Sequence, residues 1–238
     1  MHILPVFSTL ITLAFTVAVF NRYQKRGGTH LLIWGIGLVF YGLGTSMEVL
    51  LGITFNALAL KLWYLSGAML TAAWLGQGTI NLLVRRRGAA TVMNIFLVLV
   101  SLAALGLILA APIQNAAGFH PALPVSAQYK DILGRGGATI ALTILLNTYG
   151  TFTLIGGALY SAFLFWRKKV LFNRMVGNIL IAGGAILPAL GGSLLKAGLP
   201  DWLYLSEFLG VILMYAGFVL ATAAQAVRVA HAPAAGLD

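Results

Sequence analysis

Seven stretches of roughly 20 predominantly apolar residues run through the chain, and each is long enough to cross a bilayer as a helix. They lie at about 3–20, 31–52, 57–83, 89–111, 138–166, 173–195 and 202–226. Of the 238 residues 60% are hydrophobic and only 8% are charged, whereas soluble domains carry about 25% charged residues. The sequence therefore predicts an all-α, polytopic membrane protein with a single seven-helix transmembrane domain over 1–228, followed by a short cytoplasmic tail at 229–238.

The basic residues are concentrated in alternate connections, which predicts the orientation of the bundle. With the N-terminus outside and the C-terminus in the cytoplasm, eleven of the fifteen Lys and Arg residues lie on the inner side: Arg22, Lys25, Arg26, Arg85, Arg86, Arg87, Arg167, Lys168, Lys169, Arg174 and Arg228. Only Lys61, Lys130, Arg135 and Lys196 remain outside. We expect a multi-pass protein of the cell membrane, in a bacterium the inner membrane, with the lipid bilayer as its surroundings.

Several classes of site are excluded or disfavoured by residue content. Without cysteine, the chain has no disulfide and no thiolate ligand. Its four histidines fall in four different segments, which argues against a metal site, and no phosphate-binding glycine motif follows a strand. The basic residues lie in short loops, where topology explains them better than nucleic acid. We expect no enzyme activity, no cofactor, no metal and no nucleic-acid partner.

Four charged side chains lie in or next to predicted spans near their outer ends. At 1.5 Å per residue, Glu48 is about 6 Å and Glu207 about 9 Å below that surface, and Lys61 and Lys196 lie within roughly two turns of it. Intramembrane charges usually face the bundle interior and pair with one another. The pattern predicts an outward-facing polar cluster, with Tyr64 beside it, that binds a small polar or zwitterionic ligand. The alternative is that the lysines extend to the headgroups and the glutamates only hydrogen-bond to neighbouring helices.

Aromatic residues also gather at the predicted outer ends of the third and seventh spans. Trp63, Tyr64, Trp202 and Tyr204 are placed where membrane proteins carry an interfacial aromatic belt. We expect a belt, and the wall of a pocket is the alternative.

Shifting the chain by 140 residues produces an internal alignment without a gap. It pairs Gly37 with Gly177, Gly44 with Gly184, Gly52 with Gly192, Ala57 with Ala197 and Tyr64-Leu65-Ser66 with Tyr204-Leu205-Ser206. The alignment predicts parallel repeats in a 3+1+3 arrangement, with the fourth span as linker, as in some small transporters. Chance matching of glycine- and leucine-rich sequence is the alternative.

Two further segments are candidates for movement. Pro188 interrupts the hydrogen-bonding of the sixth span close to Gly191 and Gly192, which predicts a hinge or a static kink. The longest connection, 112–136, contains a segment at 125–133 that is expected to form a short amphipathic helix on the membrane surface. This connection is either a lid or a plain connector.

The first 85 residues carry several short motifs in a fixed order: Arg22, Lys25 and Arg26-Gly27-Gly28, then Trp34, Tyr41-Gly42, Met47-Glu48, Trp63-Tyr64-Leu65 and Trp74-Leu75. In these motifs the chain resembles the seven-helix sensor module found at the N-terminus of some bacterial histidine kinases. The resemblance implies a receptor-like role. Because the sequence ends at Asp238 without an effector domain, the output is expected to pass through a separate partner protein.

Three functions are consistent with these patterns. The first is a receptor-like module that binds a small ligand from outside and relays to a partner at a basic inner face. That face would be formed by Arg85, Arg86, Arg87, Arg167, Lys168 and Lys169. The second is a small-solute transporter built on the repeats, and the third is a non-catalytic subunit of a larger membrane complex.

Overall fold

The computed structural model describes residues 3–84, 86, 88–169, 171–196 and 201–223, and for 192–196 and 201 it describes the backbone alone. The helices are α1 (Ile3–Arg26), α2 (Thr29–Leu51), α3 (Ala57–Leu83), α4 (Ala89–Ala110), the short α5 (Val125–Ile132), α6 (Gly137–Arg167), α7 (Phe172–Lys196) and α8 (Asp201–Thr222). All except α5 are long and apolar enough to cross a membrane, so the predicted multi-pass helical protein is confirmed. The predicted tail, 229–238, lies outside the described residues.

The helix boundaries follow local capping chemistry. Helix α1 continues past its predicted end to Arg26 and stops where Gly27 and Gly28 adopt positive φ angles of 66° and 103°, which glycine tolerates without a steric penalty. At the start of α3, the Asn56 side chain accepts a hydrogen bond from the Ala59 backbone N–H at 2.9 Å. These caps set the two tight turns on either side of α2.

Six of the long helices form a ring, and α4 lies outside it. Neighbours around the ring are α1 and α2, α2 and α3, α3 and α6, α6 and α7, α7 and α8, and α8 and α1. Helix α4 packs lightly against α3 and α6 and exposes most of its large apolar side chains. The ring therefore brings the first three spans against the last three, and α4 connects them from the periphery.

Glycines allow the closest helix crossings in the ring. A Cβ at Gly150 of α6 would collide with the backbone of Ala72 in α3, and a Cβ at Gly184 of α7 would lie 2.5 Å from the carbonyl oxygen of Gly210 in α8. Small residues at such crossings let backbones approach in lipid, where no hydrophobic force drives helices together. The absence of a side chain at Gly150 and Gly184 therefore sets how closely these helix pairs approach.

Helix α4 is held to α3 by polar contacts spaced along its length. These are Lys61 Nζ to Leu109 O (2.8 Å), Trp74 Nε1 to Ser101 Oγ (3.1 Å) and Gln77 Nε2 to Asn94 Oδ1 (2.5 Å). Interhelical hydrogen bonds are worth about 0.6 kcal/mol each on average in a membrane protein. They account for the attachment of a helix that buries little surface.

Helix α3 contains a π-helical segment at Tyr64–Leu70 that the sequence analysis did not anticipate. Its wider turn changes which backbone N–H and carbonyl groups hydrogen-bond to each other. The Thr71 hydroxyl donates to the Ser66 carbonyl at 2.8 Å. The Asn147 amide of α6 donates to the Ala68 carbonyl at 2.5 Å. Side chains thus compensate the altered pairing, and π-helical turns of this kind are frequent at functional sites.

The connection 112–136, called the cap below, is folded onto the ends of the bundle. Ile113 and Leu133 form an antiparallel bridge at its base, and α5 lies within the predicted helical segment. The Phe119 ring packs against Phe55 with centroids 5.2 Å apart, and Leu133 is fully buried. The predicted short helix is present and the segment contributes to the core, while its position on the membrane surface and a role as a lid stay predictions.

The expected aromatic belt is wrong for three of its four residues. Trp63, Tyr64 and Tyr204 are buried beneath or beside the cap, and only Trp202 is exposed, at 52%. The reason is that the cap covers the helix ends where an uncovered bundle would meet the headgroups. The alternative of a pocket wall fits the three buried side chains.

The predicted hinge lies in a closely packed part of α7. Pro188 is inside the helix and lies against Gly210, where a Cβ would be 3.0 Å from Pro188 Cδ. Gly191 lies directly against the Ser206 side chain. The surroundings of Gly192 are outside what the structure describes, and a hinge at these residues stays a prediction.

Candidate functional site

Two carboxyl groups meet inside the bundle, on helices from opposite halves of the ring. Glu48 of α2 is 5% exposed, and Glu207 of α8 is partly buried and close enough to interact with it electrostatically. They are two of only five acidic residues in the chain. The structure therefore brings together the two glutamates that the sequence analysis placed at one depth.

Two tyrosines link α2 and α8 beside the carboxyl pair. The Tyr204 hydroxyl lies within hydrogen-bonding reach of the Glu48 carboxyl group, so side chains of α8 and α2 come together here. The Tyr41 hydroxyl donates to the backbone carbonyl of Glu207 at 3.1 Å, a second link between the same helices. The contact between α2 and α8 is thus polar at this depth, although both helices are otherwise apolar.

The two lysines of the predicted cluster do not complete it in the described structure. The Lys61 ammonium donates to the Leu109 carbonyl at the end of α4, away from the glutamates. The side chain of Lys196 lies outside what the structure describes. Like-charged carboxylates in a medium of low polarity repel strongly, so the pair is costly without a compensating cation or proton. Ionisable residues inside a membrane are therefore found mainly at functional sites.

The cap reaches the carboxyl pair through Tyr204. The backbone N–H of Val125 lies within hydrogen-bonding reach of the Tyr204 hydroxyl. Val125 is the first residue of α5, and the first N–H groups of a helix have no partner within the helix. A single phenol therefore contacts both the cap and Glu48.

A second cluster lies under the other side of the cap. The Tyr64 hydroxyl is 3.0 Å from Thr143 Oγ1 and accepts a hydrogen bond from Arg135 at 3.4 Å. The Tyr129 ring of α5 lies 5.4 Å from those of both Tyr64 and Trp63. Tyr64, which the sequence analysis placed beside the glutamates, belongs to this cluster. The sequence predicts for Arg135 only a position on the outer side of the membrane. No local pattern links it to Tyr64, which lies 71 positions earlier in the chain.

The described residues of the predicted partner face lie at the opposite end of the bundle from the cap. Arg86 and Arg167–Lys169 are exposed, and Arg85 and Arg87 lie outside the described residues. Helix α6 has 31 residues and is about 46 Å long, so it extends beyond a hydrocarbon core of about 30 Å. Its basic end is accessible to a partner or to lipid headgroups.

In the described part of the chain, no three His, Asp or Glu side chains come close enough together to hold a metal ion. Comparison of the chain with protein-family models, with curated proteins and with solved structures gave no match.

Proposed function

We propose that this protein is a receptor-like membrane module that binds a small ligand at its outer end and relays binding to a separate partner protein. In this proposal the membrane is a bacterial inner membrane, the N-terminus is outside and the C-terminus is cytoplasmic. The basic face at the inner ends of α3 and α6 then meets the partner, and the eleven inner basic residues support that orientation.

The observation that carries the proposal is the position of Tyr204 between the cap and Glu48. A ligand that binds under the cap changes the position of α5, and this alters the hydrogen bond that joins α8 to α2. A ligand shifts such an equilibrium only by its difference in affinity for the two arrangements. The costly carboxyl pair makes the α2–α8 contact sensitive to small displacements, since repulsion changes with separation.

Ligand-dependent thermal stability tests the proposal. Purified protein is screened in an uncharged maltoside detergent against small polar molecules, with unfolding followed by tryptophan fluorescence. We expect stabilisation by at least one molecule, of about 2.7 kcal/mol at a concentration 100 times its Kd. Tyr204→Phe is expected to lose at least half of that stabilisation, because the phenyl ring keeps the packing and removes the relay.

The matched control is Tyr160→Phe on α6, which removes the same hydroxyl from a side chain that is 54% exposed. It should respond like the wild type. If no molecule stabilises the wild-type protein, the receptor proposal fails.

A small-solute transporter with 3+1+3 repeats is the second candidate, and the helix crossings favour it. The aligned glycines lie at crossings of corresponding helix pairs in the two halves: Gly37 contacts Leu75 and Gly44 contacts Gly67 between α2 and α3, and Gly177 contacts Gly217 and Gly184 contacts Gly210 between α7 and α8. The ring with α4 outside also suits two three-helix units joined by a linker helix. Solute uptake into proteoliposomes, absent for a receptor, would favour this candidate.

A further inference from the structure

A cavity of about 480 Å³ opens at the base of the cap. Its lining residues include Gln114, Lys130, Gly134, Arg135 and Gly136. The volume suits a small molecule. Its two charged lining residues are both basic, so the cavity favours a negatively charged ligand.

The Arg135 guanidinium is held by aromatic rings. Its central carbon lies 4.7 Å from the centroid of the Tyr129 ring and 5.6 Å from that of Tyr64. Burial raises the pKa of the Tyr129 phenol, so this ring supplies a neutral hydroxyl. Cation–π contacts of this kind orient a guanidinium without neutralising it.

Arg135 has no carboxylate partner among the described residues. Its guanidinium donates to the Tyr64 hydroxyl and has the Tyr129 hydroxyl within reach, and its buried Nε–H has no hydrogen-bond partner. Asp131, the carboxylate in α5, is exposed and makes no ion pair with Arg135 in the described structure. A guanidinium carries five N–H donors, so some of them remain available to a ligand.

The chain immediately after Arg135 adds to the positive potential. Gly136 caps the N-terminus of the 31-residue helix α6 without a side-chain hydrogen bond, and the first turn of that helix contains no acidic residue. The free N–H groups and the dipole of a long helix favour an anion there. Lys130, which is exposed at the mouth of the cavity, supplies a second cation.

We propose that the cavity binds a small oxyanion, a carboxylate or phosphate group, with Arg135 as the principal ligand and Lys130 as the second cation. The site deepens the proposed receptor function, on which it rests, by giving the ligand a chemical class. Arg and carboxylate or phosphate groups match in geometry and form paired, charge-assisted hydrogen bonds. Because Tyr129 is in α5 and touches Arg135, an anion here pulls on the helix whose first residue contacts Tyr204.

The test is a binding titration in maltoside, a detergent without phosphate, at constant ionic strength. The probes are inorganic phosphate and succinate, with choline chloride as the cation control. Trp63 reports binding through its fluorescence, because its ring packs against Tyr129. We expect phosphate or succinate to change the fluorescence saturably and choline chloride to have no effect. The dissociation constant should rise at least tenfold in Arg135→Gln and about threefold in Lys130→Gln, the exposed second variant.

The control variant is Arg86→Gln, which removes an exposed arginine at the opposite end of the bundle and should leave affinity unchanged. A second arm repeats the titration in nanodiscs of phosphatidylglycerol. Weaker binding of free phosphate there identifies the lipid phosphate as the occupant of the same site, and unchanged binding identifies a soluble anion. If Arg135→Gln fails to fold, an unchanged affinity in Lys130→Gln overturns the proposal.

A response to neither anion above that to chloride also overturns the anion site. That result leaves the receptor function standing if a neutral or cationic molecule stabilises the protein in the screen. Saturable anion binding with the same affinity and the same stabilisation in Tyr204→Phe supports the anion site and contradicts the relay. The two failures are therefore distinguishable.

Discussion

Gly150→Ala is expected to destabilise the protein by about 3 kcal/mol relative to a matched control. Among glycine-to-alanine substitutions in this chain, we expect this one to have the largest effect. The new Cβ would collide with the backbone of Ala72, and neither helix backbone can move aside without separating α3 from α6. This crossing joins the two halves of the ring. Thermal unfolding in detergent measures the loss.

Gly156→Ala is the control, because it lies on the same helix and a Cβ there meets nothing within 4 Å. That variant should be neutral or more stable by up to about 1 kcal/mol, since alanine favours the helix over glycine. Equal stability of the two variants would show that α3 and α6 do not cross at Gly150.

Glu48→Gln is expected to stabilise the protein by about 1–2 kcal/mol while it weakens the response to ligand. Glutamine retains an acceptor for the Tyr204 hydroxyl and removes the repulsion between Glu48 and Glu207. Functional residues often lower the stability of the folded protein. We therefore expect Glu48→Gln to increase the free energy of unfolding and to reduce the stabilisation by ligand. Chemical or thermal unfolding gives the first quantity and the stability screen gives the second.

The double variant of Glu48→Gln and Glu207→Gln provides the internal control. One substitution already removes the repulsion, so the double variant should gain less than the sum of the two singles, by about 1–2 kcal/mol. Additive gains would mean that the two carboxyl groups do not interact. A marked loss of stability in Glu48→Gln would instead assign the carboxylate a structural role.

The transmembrane architecture could be predicted from sequence because it depends on local quantities. The length of each apolar run sets the span, and interrupting residues such as Asn56 and Gly27 set the turns. The depth of Glu48 and Glu207 followed from counting residues along their helices. Their meeting did not follow from depth alone, because it required side chains of α2 and α8, which are not adjacent in the ring but both pack against α1, to reach each other.

Features that depend on distant contacts could not be predicted in this way. The π-helical segment around Ser66 requires Asn147 from α6 to satisfy the Ala68 carbonyl, and the chain near Ser66 contains no signal of it. Lys61 was placed with the glutamates because depth does not specify which way a helix face points. The aromatic residues Trp63, Tyr64 and Tyr204 are buried by the cap instead of facing lipid headgroups. The length and polarity of α5 do not indicate which residues it packs against.

The most direct test of the proposed function is the side of the membrane from which the carboxyl pair can be reached. The chain has no cysteine, so Glu207→Cys creates a single thiol at the site, and Ala127→Cys on the exposed face of α5 reports the side of the cap. Each is treated with a membrane-impermeant thiol reagent in right-side-out and in inverted vesicles. The receptor proposal predicts labelling of both from the outer side only, more slowly at 207 than at 127. Labelling of 207 from the inner side would contradict it and indicate the alternating access of a transporter.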